Sequence, residues 1–87
     1  MELDKKINII IEILTNVLEL PTKAKEFLKQ WPAIENENDS DISAAWGCLH
    51  HFVNDEELCS RDEIYNKYML DKIRESLNNL KKKQNNV

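Results

Sequence analysis

The sequence predicts an all-α domain, a small antiparallel bundle or compact array of four helices over residues 3–20, 22–31, 41–53 and 61–82. Three observations predict it. Apolar residues recur three and four apart through long stretches, the spacing of one helix face. Turn formers are scarce: the 87 residues include one glycine, Gly47, and two prolines, Pro21 and Pro32, whereas hairpins and β-sandwiches need frequent Gly and Asn-Gly turns. The prolines and the capping residues fall between the apolar stretches, where helices stop and start. A chain of this length makes one domain. It buries roughly 60–65% of its unfolded surface, so it must pack well or associate to be stable.

The first helix, residues 3–20, presents Leu3, Ile7, Ile10, Ile11, Leu14, Val17 and Leu18 as one stripe. A second group, Ile9, Ile13 and Leu20, lies beside it and widens the apolar arc to roughly 200° on a helical wheel, about twice what one covered face needs. Two arrangements explain so wide an arc: a central helix covered from two sides, or a homodimer interface built on Ile9, Ile13 and Leu20. Pro21 closes this helix or opens the next. The second helix, 22–31, turns Ala24, Phe27, Leu28 and Trp31 inward, with the Thr22 hydroxyl as its N-cap. Pro32 ends it by disfavouring helical geometry at Trp31. Residues 34–40 then read as a polar, acidic loop.

The third helix, 41–53, is capped by Asp39, Ser40 or Asp41 and lines up Ile42, Ala45, Trp46, Leu49, Phe52 and Val53. Residues 54–58 fit a frayed end, a turn or a short helical continuation. Ser60-Arg61-Asp62-Glu63 has the pattern of a capping box, which starts the fourth helix at Arg61. Its stripe is Tyr65, Met69, Ile73, Leu77 and Leu80, with Leu70 at the flank and Ile64 and Tyr68 off to one side. Residues 1–80 are expected to form the domain. Residues 81–87, Lys-Lys-Lys-Gln-Asn-Asn-Val, carry no apolar periodicity and are expected to be a disordered basic tail.

Few residues invite chemistry. No Gly-rich phosphate loop, HExxH motif or serine-nucleophile motif is present, so no enzymatic activity and no cofactor are expected. Cys48, His51 and Asp55 are spaced three and four apart, so one helix flank presents all three, with Cys59 as a fourth zinc ligand. Structural zinc sites normally show two clear ligand pairs, so no metal is expected. Ala44, Gly47 and Cys48 instead read as a small-residue patch against which another helix packs closely. Two cysteines make no disulfide framework, and no secretory signal or membrane-length apolar run is read, so a cytoplasmic setting is expected.

Charge is the best functional clue. From Pro32 to Glu63 the chain holds nine carboxylates and one base, Arg61, whereas the flanks are net positive and the whole chain sums to −4. Clustered carboxylates steer a basic partner and raise its association rate. The preferred reading is therefore a small acidic protein–protein interaction module, of the inhibitor, immunity-protein or antitoxin type, that binds a basic protein. Its contact residues are expected to be Glu35, Glu37, Asp39, Asp41, Asp55, Glu56 and Glu57, with Trp31, Tyr65 or Tyr68 as aromatic anchors where they are exposed. That role requires one contiguous negative patch. Two alternatives remain: a regulatory protein contacting nucleic acid through Lys23, Lys25, Lys29 and Lys81–Lys83, which the sequence pI of about 5.1 opposes, and a structural homo-oligomer subunit.

Overall fold

In the computed structural model, which describes residues 3–32 and 38–85, helix α1 spans Leu3–Glu19 and lies at the centre of the core. Ile7, Ile10, Ile13, Leu14 and Val17 are buried along it. Thr15, mid-helix, is satisfied by donating to the Ile11 carbonyl at 2.8 Å. The wide apolar arc has the first of its two explanations: a central helix covered from two sides. Ile13 is 2% exposed within a single chain, so it is core and cannot serve as a dimer contact. Ile9 is half-buried against the same core, and only Leu20 of that trio stands exposed. A lone surface leucine does not make an interface.

After α1 the chain makes a 3-10 turn, Pro21–Lys23, and a five-residue helix α2, Ala24–Leu28. The helix expected over 22–31 is thus shorter and split. Pro21 takes the first position of the turn, where its missing N–H leaves no bond unmade, and this draws Thr22 into the turn instead of leaving it as a cap. The Gln30 and Trp31 amides close onto the carbonyls of Phe27 and Leu28, three residues back, as the chain approaches Pro32.

Helix α3 spans Ser40–Asn54. Of the three expected caps, Asp39 is the one used: its Oδ1 accepts from the Asp41 amide at 2.9 Å and the Ile42 amide at 3.1 Å. Ile42, Ala45, Leu49 and Phe52 are buried, with Trp46 and Val53 at the edges of the face. The ambiguous stretch that follows is a separate helix α4, Glu56–Arg61. Ser60 is inside α4, where its hydroxyl donates to the Glu57 carbonyl at 2.7 Å. The capping box therefore does not form. Asp62, in extended backbone, does the capping: its Oδ1 accepts from the Tyr65 amide at 3.0 Å, and helix α5 runs Glu63–Asn85.

The expected basic tail is helical through Asn85, because its last turn is tied down on both sides. Leu80 is fully buried just before it. Lys83 reaches Asp39 and Asp41 on α3, and the Gln84 amide donates to Asn8 on α1. These bonds, with Tyr65 meeting Asp55 at the opposite end, set α5 antiparallel to both α1 and α3. Helices α1 and α3 consequently run the same way. The result is all-α, a small bundle measuring 40 × 22 × 20 Å, with no strand among the described residues. Ile10, Leu14, Val17, Ile42, Leu49, Ile73 and Leu80 form its fully buried centre, each contributing about 1.5–3 kcal/mol relative to exposure. No helix among the described residues is long and apolar enough to cross a membrane.

Candidate interaction surface

At one end of the bundle α3 stops, α4 turns the chain through six residues, and α5 begins. Asp55 organises this corner. Its carbonyl accepts from the Cys59 amide at 2.8 Å, which starts α4. Its carboxylate accepts from the Tyr65 hydroxyl at 2.5 Å, which holds the first turn of α5 against the end of α3. The hydrogen bond to Asp55, together with desolvation and the negative charge beside it, pushes the Tyr65 hydroxyl up to about 12. Tyr65 stacks on Tyr68 with ring centroids 6.3 Å apart, and the Lys72 ammonium lies 5.5 Å from the Tyr68 centroid.

The outer face of this corner is uncovered. Ile64 is 84% and Tyr68 54% exposed. They are four residues apart on α5, so they share one face. Five carboxylates belong to the same corner: Asp55, Glu56, Glu57, Asp62 and Glu63. Its one base within that run, Arg61, sits 3.7 Å from Glu57 with both side chains in solvent, a pairing too exposed to neutralise the patch.

The remaining carboxylates of the acidic stretch are elsewhere. Asp39 and Asp41 lie at the other end of α3, about 20 Å away at the helical rise, and Lys83 bridges them at 2.6 and 3.0 Å. Burial raises the Asp39 carboxyl, but the Lys83 hydrogen bond and charge and the Ile42 and Asp41 amides together hold it below the usual range. The same two hydrogen bonds raise Lys83. The acidic stretch is therefore not one patch, and Asp39 and Asp41 are structural partners of Lys83. Glu35 and Glu37 lie outside the described residues. Trp31 is half-buried, packs on the core and buries its indole Nε1 without an acceptor among the described residues, so it is no surface anchor.

Other expected groupings come apart as well. Of the two lysine sets, Lys25 lines a groove with Phe52 and Glu56, whereas Lys83 sits at the start of α3. Cys48 is half-buried and accepts from Ser76 at 3.7 Å, His51 is exposed, and Asp55 is engaged with Tyr65. Among the described residues no three His, Cys, Asp or Glu side chains are placed to hold a metal ion. Burial and the charges of Asp55 and Asp62 push the Cys59 thiol up, the opposite of an activated nucleophile. His50 stacks on Trp46 at 4.6 Å and meets Asn54 through its Nδ1 at 3.3 Å. A methyl placed on Gly47 would meet nothing within 4 Å, so no helix approaches closely there.

One feature has no counterpart in the sequence reading: a groove of about 370 Å³ beside the acidic corner. Its floor is Ala24, Phe52 and Cys59, with Pro21 and Val53 at its margins. Thr22 and Lys25 stand on one rim, and Glu56 and Ser60 on the other. It lies between the Pro21–Leu28 segment and α4, whose boundaries are not marked by apolar spacing. Ile64 was likewise no expected contact, although its position off the buried stripe beside Tyr68 was the signal that it faces outward. No family model, curated protein or solved structure matches this chain.

Proposed function

We propose that this protein is a non-catalytic protein–protein interaction module that engages a basic partner through the α3–α4–α5 corner. The observation that carries it is the pair Ile64 and Tyr68, uncovered on one face of α5 directly after residues 55–63, which hold five carboxylates against Arg61, with Lys72 over the Tyr68 ring. Apolar and aromatic side chains supply most of the energy of an interface, and surrounding like charges select a partner of opposite sign and speed its approach. An inhibitor or antitoxin acting on a basic enzyme or DNA-binding effector uses this physics. Asp39, Asp41 and Trp31 are no part of the contact set, and Tyr65 acts by holding Asp55 and Tyr68 in place.

A photo-crosslinking residue at position 68, in cells that express the protein, captures the bound protein for purification. The purified pair is expected to associate more slowly as salt rises. Glu56→Lys, Glu57→Lys and Glu63→Lys together are expected to lower the on-rate by about tenfold or more, with Asp41→Lys as the distant control. An on-rate indifferent to salt and to the triple reversal, or an acidic protein as the adduct, refutes the proposal.

A further inference from the structure

We infer that α4 is a strap that opens as a unit while α1, α3 and α5 stay packed, and that its opening uncovers Cys59 and shifts Glu56 and Glu57 relative to the rest of the corner. The strap buries very little. Of its six residues only Cys59 is buried, at 8% exposure, and Leu58 stands 44% exposed. A helix this short is far below the roughly 12–15 residues that hold together alone in water, so α4 depends on its packing. One thiol side chain supplies little of that packing. Segments with few buried apolar contacts are the ones that open below the global unfolding free energy.

The attachments of α4 are equally few. It packs on α3 and α5, and the groove of about 370 Å³ separates it from the Pro21–Leu28 segment. Its side-chain bonds, Ser60 to the Glu57 carbonyl at 2.7 Å and Arg61 to Glu57 at 3.7 Å, both stay within α4. Its neighbours close without it. The Asp55 amide ends α3 by donating to the His51 carbonyl at 2.9 Å, and Asp62 starts α5 by accepting from the Tyr65 and Asn66 amides. Tyr65 meeting Asp55 joins those two helices across the base of α4, so residues 56–61 can come away while both flanks keep their own bonds. The hinges are Asp55 and Asp62, where the backbone leaves helical geometry (φ −97°, ψ 20° and φ −126°, ψ 102°). Glu56 and Glu57 move with the strap, whereas Glu63, Ile64 and Tyr68 stay on α5.

The test is amide hydrogen exchange of the full chain, followed by nuclear magnetic resonance across low urea concentrations, with iodoacetamide labelling of the thiols read by peptide mass. The amides of Cys59 and Asp62, which donate to the Asp55 and Leu58 carbonyls at 2.8 and 3.0 Å, report the strap; those of Leu14, Leu49 and Ile73 report the core. Corrected for intrinsic rates, the strap amides are expected to exchange about tenfold or more faster than the core amides. Their urea dependence is expected to be shallower, because a local opening exposes little surface. Cys59 should be labelled with the same shallow dependence. Tyr65→Phe removes a bond that the open state keeps and global unfolding breaks, so it should speed core exchange about fivefold and leave the strap amides unchanged. Strap amides that share the protection and the urea slope of the core overturn the proposal. So does labelling of Cys59 while those amides stay protected, because the reagent then enters through the groove with α4 in place. Strap amides accelerated by Tyr65→Phe as much as the core overturn the Tyr65–Asp55 bond as the join that keeps the opening local.

Discussion

Gly47 offers the cleanest test of how α3 is packed. It is seven residues from either end of the helix, so it is in the interior, where glycine is about 0.8–1 kcal/mol less favourable than alanine. Part of that difference is the larger entropy glycine gives the unfolded chain. A steric penalty normally offsets the gain where a backbone approaches closely, but a Cβ on Gly47 meets nothing within 4 Å. Gly47→Ala should therefore stabilise the protein by close to the full propensity difference, about 1 kcal/mol. For a domain of this size that is a rise of roughly 4–8 °C in melting temperature. Ala44→Gly, exposed on the same helix, is the reciprocal control and should lose a similar amount. Thermal and urea unfolding followed by circular dichroism measures both. If Ala44→Gly destabilises while Gly47→Ala gains nothing or loses stability, then something covers Gly47 in solution. A loss that fades on dilution would identify the cover as a second copy of the chain, and the small-residue patch would regain the packing role expected from the sequence.

Three other outcomes follow from named contacts. Lys83→Met removes both bridges to α3 and should cost about 0.5–1 kcal/mol near neutral pH, a modest value because Lys83 is partly in solvent. Asp39 is held below its ordinary 3.8, so its contribution is full above that value and vanishes as pH falls through the depressed one. Lys83 is held above its ordinary 10.5, so its contribution is full below that value and vanishes as pH rises through the raised one. The gap between parent and Lys83→Met in urea titrations should thus be widest at intermediate pH and close at both extremes; a gap that survives in strong acid means the bridges are not its origin. Tyr65 is neutral up to about 12, so the bond to Asp55 is intact below the ordinary 10 and lost as pH climbs from there through about 12. An ultraviolet titration should show a phenol ionising near 12 that Tyr65→Phe deletes, and a variant that keeps this phase assigns it elsewhere. Asp62→Ala should cost about 1 kcal/mol by uncapping α5, and Ser60→Ala should stay within about 0.5 kcal/mol; the reverse order would restore the capping box.

Helices α1 and α3 were legible because their apolar spacing is dense and because one strong cap, Asp39, precedes the second. The short helices were not, because local signals there are ambiguous. Thr22 and Pro21 are both acceptable helix starts, and Ser60 and Asp62 are both acceptable caps. The structure ends α4 at Arg61 and caps α5 with Asp62, whose Oδ1 accepts from the Tyr65 amide, while Ser60 turns back to the Glu57 carbonyl. The order of the final turn was hidden for another reason. Lys83 is stabilised by residues 42 and 44 positions earlier in the chain, and no window of local sequence contains that pair. The same limit applies to the site. Tyr68 was recognised from the sequence, but the groove depends on which residues of α2, α3 and α4 come together, and periodicity carries no information about that.

The division of the acidic stretch changes what a partner senses. Electrostatic influence falls off over about 8 Å at physiological salt, and α3 separates its two acidic ends by about 20 Å. Asp39 and Asp41 would add little at the corner even if they were unpaired, so their bridging by Lys83 takes little from it. The lysines at positions 81 and 82, beside that bridge, are as remote and do not cancel the corner either. Net charge, −4 for the whole chain, averages over both ends of α3. The corner holds five carboxylates, the exposed Arg61 guanidinium and the Lys72 ammonium over Tyr68, with Ile64 and Tyr68 left uncovered. Reversing charges there should change association, and reversing them at the other end of α3 should change stability alone.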